Sequence, residues 1–190
     1  RRPLPNFASA PLGDIEVTGL PTRVVAAGPD AAALLRRADL ERRVLMAAAL
    51  SGLAEEALSM TLDYVRERCV YGRPVAEFQA VQHRLADVAV GIEGARLLAY
   101  EAAWALDERT ARAEELALMA LAFAADTSFR ATKEGLQFHG GYGYTNEFDI
   151  QLYFRRAKGW PLIVGQTAGS WQRIAALAYP TLDNREGRRP

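Results

Sequence analysis

Cysteine and histidine are scarce in this 190-residue chain: one thiol, Cys69, and two imidazoles, His83 and His139, far apart in the sequence. A single thiol cannot close an internal disulfide and fits a reducing cytoplasm. Without a cysteine pair or neighbouring histidines, nothing has metal-ligand spacing, which excludes a metal site at this level of reading. Net charge is also lacking, because 23 basic residues balance 23 acidic ones. No overall field therefore draws the chain to nucleic acid or to an anionic membrane, and partners must be recognised locally. No run of 18 apolar residues is free of charge, and the opening RRPLPNFASAPLGD lacks the apolar stretch of a signal peptide. The expectation is a soluble, unexported protein.

What is present describes an ordinary folded domain, with 50% hydrophobic and 24% charged residues. The length suits one domain with a real core, or a domain plus a fragment of a second. Residues 1–39 are rich in proline and glycine, with short β-like runs, DIEVTGL and TRVVAAG, between turn signals. They read as the end of a β-domain and a linker, too short to bury a core. Residues 40–183 change character. LERRVLMAAALSGLAEEALSMTLDYVRERC has no proline and a single tolerable glycine, Gly52, and predicts a long helix from Leu40 that stops before VYGRP at Gly72 and Pro74. Val81, Leu85, Val88, Ile92, Ala95 and Ala99 recur at spacings of three and four and predict a second helix from about Glu77 to Leu106. Leu116, Met119, Leu121, Phe123, Phe129 and Leu136 place a third from about Ala113 to Phe138, and a weaker one runs from Thr167 to Tyr179. Three long helices and a shorter one, joined briefly, predict a mainly α fold: an antiparallel four-helix bundle with an N-terminal remnant of a β-domain. Residues 184–190 read as a mobile tail. No fixed-period repeat or low-complexity segment occurs.

The third helix ends in LQFHGGYGYT, where Gly140, Gly141 and Gly143 permit backbone shapes that β-carbons forbid and let a ligand or a second chain come close. No strand precedes them, so they do not form a dinucleotide fingerprint of the GxGxxG kind. The segment is a helix end, a site, or both.

Two stretches, RERCVYGRPVAEFQAVQHRLADVAVGIEGARLLAYEAAWALD and QFHGGYGYTNEFDIQLYFRRAK, about seventy residues apart and in the right order, resemble the C-terminal helical half of the flavin-dependent acyl-CoA dehydrogenases. The resemblance covers about Leu40 to Lys158, and it implies that the chain is a fragment of a longer polypeptide or that a partner supplies the remainder. It also implies FAD as cofactor, an acyl-CoA thioester as substrate, and a homo- or hetero-oligomer of dehydrogenase chains. Arg68 matches the arginine of the RxxFG turn that reaches the pyrophosphate of a neighbouring subunit's FAD, with Tyr71 in place of phenylalanine; a planar, always-charged fork suits a phosphate pair. From local sequence alone, Arg68 could equally be a surface arginine at a helix end. Gln79 matches a glutamine near the flavin, or is a plain polar helix position. Gln137, Phe138, His139, Gly140 and Gly141 match the QxxGG segment that crosses to the neighbour's FAD. His139 reads as a packed polar residue rather than a base. At a helix C-terminus, hydrogen bonds and close packing are expected, not a phosphate cradle.

Members of the family oxidise a thioester in one step: a glutamate removes the α-proton while the β-hydrogen leaves as hydride to the flavin. The usual glutamate stands in a YEGT stretch after the RDAK helix, and the family's spacing from Gln137 brings Val164 to its position; only Gly165 of that stretch is kept. Valine cannot accept a proton. The backbone N–H of Val164 could still polarise the thioester, since the family uses the N–H at this position for its oxyanion. Some members carry the base on the helix before the RxxFG turn. There an ungapped alignment puts Arg42, with Glu41 one helical step of about 100° away, so Glu41 points elsewhere unless the register slips. Glu41 is the candidate base, against a solvated carboxylate or a partner for neighbouring arginines. Arg43 resembles an arginine lining the substrate cleft. Three readings follow: a base-lacking subunit, as in bacterial heteromeric dehydrogenases of sterols and lipids; an active homo-oligomer using another base; and a non-catalytic helical scaffold.

Overall fold

The computed structural model describes residues 2–19, 21, 23–165 and 169–179. The expected tail lies outside them. Helix α1 spans Gly28–Glu67 and begins well before Leu40. The Gly28–Pro29 pair reads as a turn signal, yet proline in the first helical turn forfeits no hydrogen bond, and Asp30 complements the helix's positive end. Before α1, the described residues form a single two-residue pair, β1 (Arg2–Pro3) antiparallel to β2 (Gly13–Asp14). Among the described residues, DIEVTGL thus contributes one residue to a strand and TRVVAAG none: Ile15, Val17, Val24 and Val25 lie exposed, with no partner strand. Isolated β-branched runs have no preference strong enough to form a strand without neighbours.

A hairpin of β3 (Cys69–Val70) and β4 (Arg73–Pro74) turns the chain after α1. Its two turn residues, Tyr71 and Gly72, have φ of 53° and 78°, the left-handed pair that a two-residue hairpin demands. A 3-10 turn (Val75–Glu77) then leads into α2 (Gln79–Asp107), α3 (Ala113–His139), a second 3-10 turn (Gly140–Tyr144), α4 (Ile150–Ile163) and α5 (Gly169–Ala178). The long helices α2 and α3 fall where hydrophobic periodicity puts them. Periodicity missed α4, because Gly159 and Pro161 read as breakers. Pro161 sits in the last turn, and Gly159 is where a Cβ would stand 2.2 Å from that of Ala8 in the N-terminal segment.

Helices α1 to α4 alternate in direction. Val44 shares one core cluster with Ala102 and Leu106 of α2, Leu116 of α3 and Val164 after α4, whereas Ala57 meets Leu136 and Ile150 near the opposite end. Helix α3 lies at the centre, against α1, α2, α4 and α5. Alanines at its contacts, among them Ala117, Ala120 and Ala124, are fully buried and let the helices approach closely. Helix α1 is long and apolar enough to cross a membrane by length and composition alone, but its Ala47, Leu50, Ala54, Ala57 and Val65 are buried in the bundle.

The tightest three-helix contact is at Gly135, where an added Cβ would lie 2.6 Å from Ile150 Cδ1 and 2.8 Å from Thr61 Oγ1. Gly135→Ala should therefore destabilise by about 1–3 kcal/mol, as overpacked cores do, seen as a lower urea midpoint with an unchanged slope. Gly52→Ala, with nothing within 4 Å of the new methyl, should stabilise by about 0.5–1 kcal/mol through helix propensity and so raise the midpoint.

Candidate functional site

One end of the bundle gathers the turn after α1, the start of α2 and the end of α3. Arg68 caps α1, its N–H donating to the Tyr64 carbonyl at 2.9 Å and its own carbonyl accepting from Val75 at 2.8 Å. Its side chain is exposed and, among the described residues, has no ion-pair partner. Beside it Tyr71 is 93% exposed at the hairpin tip, and Gln79 is exposed at the first position of α2. Phe138 packs in one cluster with Val65, Val81, Leu85 and Phe78, which brings the end of α3 to these residues. Arg84, ion-paired with Glu134, lies over the Phe138 ring at 5.1 Å.

His139 is buried and stacked on Tyr64 with ring centroids 4.2 Å apart, edge-on to Phe148. Its Nδ1 is 2.8 Å from the Gly135 carbonyl and must be the protonated nitrogen there. Burial pushes its pKa down, against the hydrogen bond, which pushes it up. Gly140 then ends α3 with φ +61° and ψ −138°, a backbone shape open to glycine. At Gly140 and Gly141 nothing lies within 4 Å of an added Cβ, whereas Gly143 is packed on His139 and the Leu136 carbonyl. Of the three glycines, the first two leave the backbone accessible and the third closes it onto the helix.

The other end is organised by Asp39. Its carboxylate accepts from Arg42 Nη2 and from Arg43 Nε, both at 2.6 Å. Arg42 continues across to the end of α4, donating to the carbonyls of Ile163 at 3.0 Å and Val164 at 3.5 Å. A cation at a helix C-terminus meets the negative end of its dipole. The Arg43 Nη2 lies 3.8 Å from where a Cβ on Gly165 would stand. Val164 is only 2% exposed, its side chain part of the core cluster. Its N–H is directed to the Leu162 carbonyl two residues back, and that carbonyl accepts from the Gly165 N–H at 3.1 Å. Arg36, Asp39, Arg43 and Leu35 of α1, Glu114 and Leu118 of α3 and Arg173 of α5 line a cavity of about 500 Å³. Arg173 closes one wall with two bonds to Glu114 Oε1, at 2.7 and 3.0 Å.

Glu41 is not part of that cavity. It pairs with Arg37 at 2.7 Å and lines a separate groove of about 260 Å³ with Val44, Leu45 and Ala103. The two ends are also far apart: 25 residues of helix separate Arg43 from Arg68, about 37 Å at 1.5 Å per residue. Asp39 was missed in the sequence, although its spacing in DLERR, three and four residues before two arginines, is the helical ion-pair spacing. The Glu114–Arg173 pair joins two helices distant in sequence and left no signal.

A helical bundle with these two ends matches the C-terminal domain model of the acyl-CoA dehydrogenases over residues 34–178, and the chain belongs to that family. Among its relatives, it is 36% identical over 132 residues to a probable acyl-CoA dehydrogenase, YngJ, of Bacillus subtilis (70% of this chain, 34% of that one). It is 41% identical over 120 residues to the cyclohexane-1-carbonyl-CoA dehydrogenase of Geobacter metallireducens (63% and 31%). In three dimensions it resembles a chain of the ChsE4–ChsE5 complex from Mycobacterium tuberculosis, with a TM-score of 0.71 and 32% identity over 80% of this chain and 40% of that one. The chain thus spans about a third of the length of these curated relatives.

The Asp39 carboxyl feels partial burial, which raises its pKa, and the hydrogen bonds and charges of Arg42 and Arg43, which lower it further, so the net direction is down. A carboxylate held below its unfolded value contributes stability above that value and loses it as pH falls through the folded one. Asp39→Asn should lower the urea midpoint at pH 6, and the gap between variant and wild type should close as pH falls through 4 toward 3. A gap of constant size would show that the two arginines do not act on this carboxylate.

Proposed function

We propose that this chain forms the C-terminal helical bundle of an FAD-dependent acyl-CoA dehydrogenase, completes a flavin site across a subunit interface, and does not itself supply the catalytic base. The family supports the reaction class: bound FAD would accept the β-hydrogen of an acyl-CoA thioester as hydride. The observation that carries the rest is the contrast between the two ends of the bundle. At one, the free guanidinium of Arg68, the exposed amides of Gln79 and Gln137, and the open backbone at Gly140 and Gly141 suit a dinucleotide approached by another chain. An arginine fork can clamp a diphosphate in two places. At the other, the position of the usual base holds a buried valine with Arg42 against its carbonyl.

Magnitude separates binding from turnover. General-base catalysis contributes about 10²–10⁴ in rate, so a chain without the base can hold substrate while a partner performs the chemistry. Glu41 is poorly placed to substitute, since it faces the other groove and is paired with Arg37. Three arginines against two carboxylates, Asp39 and Glu114, leave that cavity polar with a small positive excess, which suits the polar part of an acyl-CoA. We infer that the functional particle is heteromeric, with a second dehydrogenase chain carrying the glutamate.

Purified alone, the chain should show no acyl-CoA-dependent dye reduction, and activity should arise on mixing it with a partner dehydrogenase chain that carries the glutamate. Turnover by the isolated chain would refute the missing base. In the mixture, Arg68→Ala should weaken flavin retention about 10- to 100-fold, the worth of a charge-assisted hydrogen bond or two; an unchanged ratio of flavin to protein absorbance would remove Arg68 from the site.

A further inference from the structure

Where the family's pattern is RDAK, an arginine beside an aspartate, this chain reads Arg155-Arg156-Ala157-Lys158, and α4 has no acidic residue at all. Lys158 leans over Phe129 of α3 and faces Asp126 across a small cavity. Arg155 and Arg156 are half-buried and have neither a hydrogen bond nor an ion pair among the described residues; the Nε of each is buried without an acceptor. Each guanidinium lies over a ring, Arg155 over Phe7 at 5.6 Å and Arg156 over Trp160 at 5.5 Å. A ring attracts a cation but does not replace an anion that accepts its N–H groups. Two neighbouring cations without a counter-charge repel each other and leave donors unmet.

Both arginines stand one turn before Gly159, three and four residues away. Gly159, Leu162 and Ile163 of α4, with Phe7, Ala8 and Leu12 of the N-terminal segment, line an apolar cavity of about 430 Å³. The polar side chain on its edge, Asn6, is taken up by the backbone of Leu4 and Ala10. At one end the cavity has Ile163, next to the turn of Val164; beyond that turn Gly165 lies by Arg43 and the polar cavity. At the other end it has Phe7, under Arg155.

We infer from this arrangement that the acyl group of the substrate lies in the apolar cavity and ends in a carboxylate, which Arg155 binds while Arg156 strengthens the local positive field. The inference rests on the proposed function, because it takes the turn of Val164 as the place of the thioester. Arg155 and Ile163 are eight residues apart, about 12 Å of helix. An extended chain advances about 1.2 Å per bond, so the acyl group has about ten carbons. A terminal methyl would leave the two arginines unpaired, and a carboxylate on a much shorter chain would lie against apolar walls, where its desolvation is costly. The polar cavity with Arg36, Arg43 and Arg173, beyond the turn, is left for the CoA portion.

Titration calorimetry of the 190-residue chain, without flavin or partner, should compare sebacyl-CoA, a diacid thioester of that length, with decanoyl-CoA, which ends in a methyl, and with the shorter adipyl-CoA. Sebacyl-CoA should bind about 10- to 100-fold more tightly than the other two, as a charge-assisted hydrogen bond or two allows. Arg155→Gln should bring it to the level of decanoyl-CoA, and Arg155→Lys should keep part of the difference. Arg156→Asp, which returns the family's RDAK pattern and sets a carboxylate beside Arg155, should abolish the preference with helical circular dichroism unchanged. Equal affinity for sebacyl-CoA and decanoyl-CoA overturns the inference, as does a preference that survives Arg155→Gln or the absence of binding by all three. Binding of CoA itself that Arg155→Gln weakens also overturns it, since the arginines would then serve the CoA phosphates. No turnover enters these titrations, so the proposed function is judged apart from them: dye reduction with decanoyl-CoA in the mixture, without a preference for the diacid, keeps that function and removes this substrate class.

Discussion

Helix α1 constrains everything else, because one uninterrupted helix of 40 residues contributes to both functional ends and keeps them apart. A helix of that length does not fold back, so Asp39, Arg42 and Arg43 at one end and Arg68 at the other are held about 37 Å apart. A single small ligand cannot touch both. The bundle follows the same constraint: α2, α3 and α4 run alternately down and up its length, and alanine-lined contacts let α3 sit among them.

Within that frame, charge and glycine do different work at the two ends. At the end that includes Gly140 and Gly141, side chains are withdrawn. His139 turns inward onto Tyr64 and Phe148, Gly143 closes on the helix, and backbone with nothing near it faces out. At the other end side chains take over. Asp39 binds two guanidiniums, one of which then spans to the last carbonyls of α4. The turn bearing Val164 is thereby tied to α1 by the Arg42 guanidinium. The valine itself serves the core, being in one cluster with Val44 and Leu50.

Much of the fold was legible in the sequence because long helices leave a repeating apolar pattern. The boundaries of α2 and α3 follow from Val81 to Ala99 and from Leu116 to Leu136. The start of α1 was not legible, since Gly28–Pro29 signals a turn and a helical first turn equally well. Helix α4 was hidden by Gly159 and Pro161, whose local meaning is a break; Ala8, packed where a side chain at 159 would stand, explains the glycine only in three dimensions. The β-like runs erred the other way. Ile15, Val17, Val24 and Val25 have strand chemistry, but a strand exists only by pairing.

The residues alone determined the family resemblance, the absence of a carboxylate at position 164 and the number of long helices, because each depends on residue identity and spacing along one chain. Tertiary structure decided the rest. It separated Glu41 from Arg43, since two positions on a helix differ by about 200° and face different grooves. It turned the Val164 N–H toward Leu162, set Arg42 on the end of α4 and joined Glu114 to Arg173, 59 residues further along the chain. Such contacts are set by where helices cross, and that depends on the packing of every side chain between them.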